Sequence, residues 1–491
     1  MRPAPTTPSS RRSSATVAAG ILLSRLAGLL RERVIASVLG VGVAVDAFRT
    51  AARIPNLLQN LLGEGVLSAS FIPVYARLLD EGREDEAGRV AGAVAGLLAA
   101  VAGLLVGVGV VLADPLTALL APGFTGERRD LTVTLVRILT PGVGVLVLSA
   151  WCLGVLNSHR RFFLSYVAPV LWNAAQIAVL VALGMRDLAQ SSVAVGLAWG
   201  AFAGGVLQLA VQLPAVRAVA RPLRLSLRTD LPGVRTVVRR FGPAVAGRGA
   251  VQLSAYVDVV LASLLAVGAV SALGYALVFY LLPVSLFGMS VAAAELPELS
   301  RIGAAGGESL GRWQARLDQG LSRVAFFVAG VVVAYLVLGD LVVATLLQSG
   351  RFGADETRLV WYTLAAFTTG LLATTASRLL QSTLYALGDT RSPAVVATAR
   401  VALTAVAGWV LMLQFDRILL AGAGLGGVTV EGLPAPLVPL PAAVRADPGA
   451  ALRLGAVGLA LASGLAAWLE LALLRRQVRR RLASPPDGGP G

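Results

Sequence analysis

The sequence contains no lysine, a single cysteine, Cys152, and a single histidine, His159. One cysteine excludes an internal disulfide framework. One histidine excludes a histidine-based metal cluster and a Ser/His/Asp triad. Charge of either sign is scarce: charged residues are 14% of the chain, against about 25% in soluble domains. No G-x-x-x-x-G-K-[ST] loop occurs, so ATP is not expected as the direct energy source. No nucleophile–base or metal constellation appears, which argues against an enzyme. No cofactor is expected beyond a coupling cation or the membrane potential.

What remains is apolar. Of 491 residues, 56% are hydrophobic, and the mean hydropathy is +0.77. One water-soluble core cannot hide that surplus, so the solvent must be lipid. The expected fold is all-α: a polytopic membrane protein of about twelve transmembrane helices at roughly 20 residues each. Hydrophobic stretches centre near 14–39, 45–79, 89–113, 131–156, 162–184, 192–216, 237–266, 268–297, 320–348, 357–387, 392–415 and 452–474.

The 42 basic residues outnumber 27 acids and leave a net charge of +15. In a soluble protein that would suggest nucleic acid. Here the arginines crowd into 216–240, 301–323 and 475–481, which the positive-inside rule explains without a nucleic-acid partner. All three lie on one side of the membrane, so both termini are expected in the cytoplasm. The polar segment 1–14 reads as a cytoplasmic tail. No cleavage site follows it, so a cleavable signal peptide is not expected. Residues 15–218 read as an N-terminal six-helix lobe, 219–236 as a basic linker, 237–475 as a C-terminal six-helix lobe and 476–491 as a cytoplasmic tail.

A weak repeat relates the halves. Pro73-Val74-Tyr75-Ala76-Arg77 ends the second stretch, and Pro297-Glu298-Leu299-Ser300-Arg301 ends the eighth. Asn157-Ser158-His159-Arg160-Arg161 and Gly388-Asp389-Thr390-Arg391 follow the fourth and tenth. Loops of membrane proteins often contain Pro and Arg, but two parallel six-helix halves with a substrate site between them are a known transporter plan.

The second stretch carries the chemistry. Asp46, Arg49, Arg53, Asn56, Asn60, Glu64 and Ser68 are spaced 3, 4, 3, 4, 4 and 4 residues apart, which places them on one helical face. Each charge facing lipid would cost at least ~2.5 kcal/mol, so the stripe must line water or another polar helix. Pro55 should kink that helix. The first stretch adds Ser24, Arg25, Arg31, Glu32 and Arg33. Arg25 and Arg31 lie about 240° apart on an ideal helix, and a break at Gly28 would bring them together. Five arginines then face three carboxylates, a surplus that suits a diphosphate or another anion. The same charges could instead pair and merely hold two helices together, as Asp46–Arg49 or Glu32 with a neighbour.

Elsewhere, Arg248, Gln252 and Tyr256 share a face of the seventh stretch, and Thr374, Arg378, Gln381 and Tyr385 a face of the tenth. Asp258 could couple to a cation or proton, or pair with an arginine. Arg137, Arg400 and Glu470 stand alone; for Glu470, snorkelling or a local pair near a helix end fits best.

Ser24-Arg25-Leu26-Ala27-Gly28-Leu29-Leu30-Arg31-Glu32 resembles the opening motif of the MurJ/MviN family of lipid II flippases. Asp46-Ala47-Phe48, Arg53-Ile54-Pro55-Asn56-Leu57-Leu58, Gly63-Glu64-Gly65 and Phe71-Ile72-Pro73-Val74 continue it, and it resumes around Pro283, Phe287-Gly288 and Tyr385-Ala386-Leu387-Gly388-Asp389-Thr390-Arg391. The resemblance implies the multidrug/oligosaccharidyl-lipid/polysaccharide exporter fold, with two six-helix bundles around a central cavity. It implies an undecaprenyl-diphosphate-linked peptidoglycan precursor as substrate, carried across the bacterial cytoplasmic membrane by alternating access. Arg25, Arg31, Asp46 and Glu64 match cavity positions of the family.

There are departures. Gln59-Asn60 stand where the family usually has basic residues, and Val278 stands where it has an arginine. Arg49, Arg248 or Arg378 would compensate for the lost charge. Family members also usually carry two further spans. The alternatives are an exporter of another polyprenyl-linked glycan or amphiphile, and a non-transporting membrane scaffold of the same fold.

Overall fold

In the computed structural model, the described residues are 8–220, 222–289, 309–387, 389, 391–421 and 427–483. Segment 295–301 of the repeat lies outside them, as do Arg221, Gly388 and Thr390. So do the side chains of Arg248, Gln252 and Arg316. The chain divides into two compact units, Met1–Leu253 and Ser254–Gly491.

The first unit opens with α1 (Pro8–Leu39), which runs unbroken through Gly28. The expected break is therefore absent: a lone glycine costs a helix only about 1 kcal/mol, and packing along α9 (Phe162–Gly184) supports the intervening turns. The second stretch is not one kinked helix but four short ones, α2 (Val43–Ala51), α3 (Arg53–Leu62), α4 (Glu64–Ser70) and α5 (Ile72–Asp80). Together they form one span, Val43–Asp80. Pro55 sits in the first turn of α3, and the discontinuity lies three residues before it at Ala52, in the turn whose backbone hydrogen bond a proline without its N–H cannot close. Gly63 makes the next break with an extended backbone. A Cβ there would lie 2.3 Å from the Gln59 carbonyl oxygen, so a side chain would force α3 and α4 apart.

After α6 (Glu84–Val111) and the short α7 (Ala113–Leu120), α8 (Gly126–Ser158) becomes the spine of the unit. It packs on α2, α3, α4, α6 and α10 (Gln190–Val219). Phe71, Tyr75, Trp151 and Leu156 centre the core. The 222–230 segment has no regular secondary structure, and the Ser226 N–H donates to the Gly92 carbonyl of α6 at 3.4 Å. The helix that follows, α11 (Pro232–Ser263), contains the division between the units.

The second unit continues with α12 (Ala269–Pro283), a π turn at Val284–Met289, α13 (Ser309–Leu347), α14 (Ala354–Thr368), α15 (Leu371–Ala386) and α16 (Arg391–Phe415). The last helix, α18 (Gly455–Ala483), packs on α12, α14, α15 and α16. It crosses the 45° bend between α14 and α15, where a Cβ on Gly370 would meet the Cα of Gly464 at 2.5 Å. Between α16 and α18 lies a structure the helical reading did not foresee: a two-stranded antiparallel hairpin, β1 (Ile418–Leu420) with β2 (Val428–Val430), followed by α17 (Ala442–Ala446). Its Pro/Gly-rich, apolar sequence has neither helical nor alternating periodicity long enough to announce it.

Among the described residues nine helices are long and apolar enough to cross a membrane, and the bent pair α14–α15 makes ten. That is fewer than the expected twelve. The two remaining long helices, α1 and α11, have 32 residues each, ample length at 1.5 Å per residue.

Candidate functional site

The polar groups of the first unit gather where α1, α2, α8 and α9 meet. Asp46 lies in the first turn of α2 and is wholly buried, and Arg128, near the start of α8, is 3% exposed. They form an ion pair with Nη2–Oδ2 at 2.7 Å, and the Arg128 guanidinium carbon stands 3.7 Å from the Phe124 ring centroid. A carboxylate and a guanidinium so far from water are tolerated because each neutralises the other. The pair pins α2 to α8. Arg128 was missed from the sequence because it sits in a segment that reads as a connection. The signal that could have found it is Asp46 itself, since a buried acid demands a counterion.

Glu32 of α1 is the second centre. Its Oε1 accepts from Arg31 Nη2 and its Oε2 from Arg49 Nη2, both at 2.7 Å. One carboxylate thus holds guanidinium groups from α1 and α2, and the trio carries one surplus positive charge. The Arg31 guanidinium lies 5.0 Å from the ring centroid of Trp172 on α9, a cation–π contact that fixes its orientation. Trp172 in turn donates its indole N–H to the Ala201 carbonyl at 3.0 Å.

The structure does not bring together every predicted residue. Arg25 is exposed and Ser24 half-buried. With α1 unbroken, Arg25 and Arg31 stay on different faces, as their spacing on an ideal helix requires. Arg53 is half-buried, whereas Asn56, Asn60, Glu64 and Ser68 are exposed. The stripe therefore runs from a buried, paired end on α2 to an open polar face along α3 and α4. Its exposed members are too polar to face lipid.

In the second unit Arg378 is exposed on α15 and Asp258 half-buried on α11. The buried polar cluster there centres on Glu470, which lies near the middle of α18 and is 3% exposed. It accepts from Gln381 Nε2 at 2.9 Å and pairs with Arg400 Nη1 at 2.5 Å. Of the two expectations for Glu470, the local pair holds and snorkelling does not. Nearby, the Tyr280 hydroxyl donates to Thr374 Oγ1 at 2.7 Å. Arg137 is exposed on α8.

Just past the end of α8, His159 shares a hydrogen bond of 2.9 Å with the Tyr75 hydroxyl of α5. Burial lowers the His159 pKa below its usual value, favouring the neutral ring. Asp416, just past α16, is 1% exposed, and burial pushes its pKa up to about 6. Arg453 Nη1 donates to the Asp416 carbonyl at 2.9 Å and to Glu431 at 3.0 Å, tying the hairpin to the start of α18.

A family model described as lipid II flippase MurJ matches residues 35–431. The "Probable lipid II flippase MurJ" of Rhizobium meliloti is 34% identical over 396 residues, which are 79% of this chain and 72% of that protein. The lipid II flippase MurJ of Burkholderia cenocepacia is 34% identical over 413 residues, 82% of this chain and 78% of that protein. Among solved structures, a lipid II flippase MurJ in an inward closed conformation matches with a TM-score of 0.72 at 20% identity, covering 94% of this chain and 87% of that one. An inward-facing multidrug resistance MATE family transporter of the MOP superfamily matches at 0.66 and 15% identity, covering 93% and 95%. At such identities these structures carry the fold alone.

Proposed function

The chain belongs to the MurJ family of lipid II flippases, and we propose that it moves lipid II from the inner to the outer leaflet of the bacterial cytoplasmic membrane, using the Arg31–Glu32–Arg49 cluster to hold the diphosphate. The observation that supports this use is one carboxylate shared by two guanidinium groups from different helices. Without substrate, Glu32 screens the repulsion between Arg31 and Arg49. A diphosphate offers more oxygen acceptors and more charge than one carboxylate, so it takes over both guanidinium forks. Glu32 then competes for the arginines and keeps the grip reversible, which transport requires. The exposed face of Asn56, Asn60 and Glu64 continues the polar path.

Both termini lie in the cytoplasm in this reading. An inside-negative potential then favours outward movement of the anionic headgroup by about 2.3 kcal/mol per charge per 100 mV. Asp258 is the candidate for a coupling cation.

The test is complementation of a bacterial strain depleted of its own lipid II flippase, with membrane insertion verified for each variant. The wild-type chain should rescue growth. Arg31→Ala and Arg49→Ala should not, and Glu32→Gln should lower turnover. Full rescue by both arginine variants would refute the diphosphate grip.

A further inference from the structure

The outward face of α18 carries a second, independent pattern. Leu465, Trp468, Ala472, Arg475, Arg476 and Arg479 are all exposed, spaced so that they fall on one side of the helix. The face is apolar for its first half and basic for its second, over about 21 Å of helix. A concavity of about 600 Å³ runs along it, lined by Trp468, Ala472 and the arginines up to Arg480.

Among the described residues, no acid answers the charges of Arg475, Arg476 and Arg479. The single acid of α18, Glu470, points inward to Arg400. Arg481, one step beyond, is taken by Asp389 at 2.8 Å. Among the described residues Arg475, Arg476 and Arg479 form no ion pair. The aromatic floor, by contrast, is held firmly. The break between α14 and α15 leaves the Thr369 carbonyl without its helical donor, and the Trp468 indole N–H donates to it at 2.9 Å. The ring is thus fixed against the unit, with its other edge exposed. An oriented indole one to two helical turns from a group of arginines has the layout of a site for a molecule with an apolar tail and an anionic head.

We propose that this face of α18 binds an anionic glycerophospholipid of the cytoplasmic leaflet, its phosphodiester on Arg475, Arg476 and Arg479 and an acyl chain along Leu465, Trp468 and Ala472. Tail and head are matched by the two halves of the stripe. The fit is to a single phosphate at the membrane surface, because the arginines occupy only the last turns of the helix and none lies at the depth of Trp468.

Trp468 serves as the probe. The full chain is reconstituted in nanodiscs of zwitterionic lipid with a minor, equal fraction of either acyl-brominated phosphatidylglycerol or acyl-brominated phosphatidylcholine. Bromine quenches tryptophan on contact, and subtracting a Trp468→Phe sample isolates this residue. Brominated phosphatidylglycerol should quench Trp468 as if enriched about fivefold over bulk, the effect of one good arginine–phosphate contact. Arg475→Gln/Arg476→Gln/Arg479→Gln should abolish the enrichment. The corresponding triple lysine variant, which keeps the charge, should retain most of it and controls for folding. Equal quenching by the two lipids, or enrichment indifferent to the glutamine variant, would overturn the proposal. So would release of the brominated lipid by undecaprenyl diphosphate at an equimolar ratio, which would assign the face to a polyprenyl diphosphate instead.

Discussion

Replacing Asp46 by Asn would leave the Arg128 guanidinium buried against Phe124 with its counterion gone. The ion pair spans 2.7 Å and its side chains are 3% and 0% exposed, so water cannot enter to repair the loss. Removing one partner of such a pair typically costs about 3–5 kcal/mol. For a chain of 491 residues, an unfolding entropy of ~2 cal/mol/K per residue converts that into a Tm drop of about 3–5 °C. Arg128→Met should cost a similar amount by stranding the carboxylate. The informative variant is Asp46→Leu/Arg128→Met, which leaves neither charge alone. Its Tm should return to within about 2 °C of wild type, because replacing both members of a buried pair by apolar groups is often neutral. The assay is size-exclusion chromatography of heated, detergent-solubilised protein at constant detergent and protein concentration. A double variant that loses the sum of the two single losses would show that the pair contributes nothing jointly, and the anchoring of α2 to α8 would have to be abandoned. Transport measured on the same double variant separates two roles for Asp46. Recovery with stability marks an anchor, whereas restored stability without transport places Asp46 in the substrate path.

Two further perturbations test the second unit. Gly464→Val places a side chain where even a Cβ would meet Thr369 Oγ1 at 2.3 Å and the Gly370 nitrogen at 3.1 Å; it should destabilise by about 1–3 kcal/mol through overpacking, read as a lower midpoint in the same heating assay, and an unchanged midpoint would deny the close crossing of α18 over the α14–α15 bend. Asp416 holds its proton more tightly folded than unfolded, since burial pushes its pKa up to about 6 from 3.8, so the folded state binds the extra proton and stability falls as pH rises between about 4 and 6, by up to ~3 kcal/mol. Asp416→Asn should flatten that part of the stability–pH profile, and an identical slope in the variant would remove Asp416 as its source.

How much of this was legible in the sequence differs from element to element. The helical character of the segment from Asp46 to Ser68 was readable from its spacing, but the breaks at Ala52 and Gly63 were not, and they divide its polar residues among three helices. The membrane was readable because lipid tolerates little charge, and the absence of lysine and near-absence of cysteine and histidine narrowed the chemistry further. The family resemblance rested on motifs in the first two stretches; the family match, over residues 35–431, covers those of the second stretch and begins just after Ser24–Glu32 of the first. The repeat, by contrast, falls partly on 295–301, outside the described residues. Pro55 announced the interruption that falls at Ala52, since a proline breaks the turn before it, whereas nothing in the spacing announced the second break at Gly63.

The sequence by itself determined the helical class, the solvent and the set of charges that had to be sheltered from lipid. Only the tertiary structure decided which charge answers which. Arg49 meets Glu32 of another helix, Asp46 meets Arg128, and Glu470 meets Arg400. Local spacing governs a single helix through backbone geometry, but ion pairs between helices depend on packing angle and depth, and side chains far apart in sequence meet only once the helices have packed.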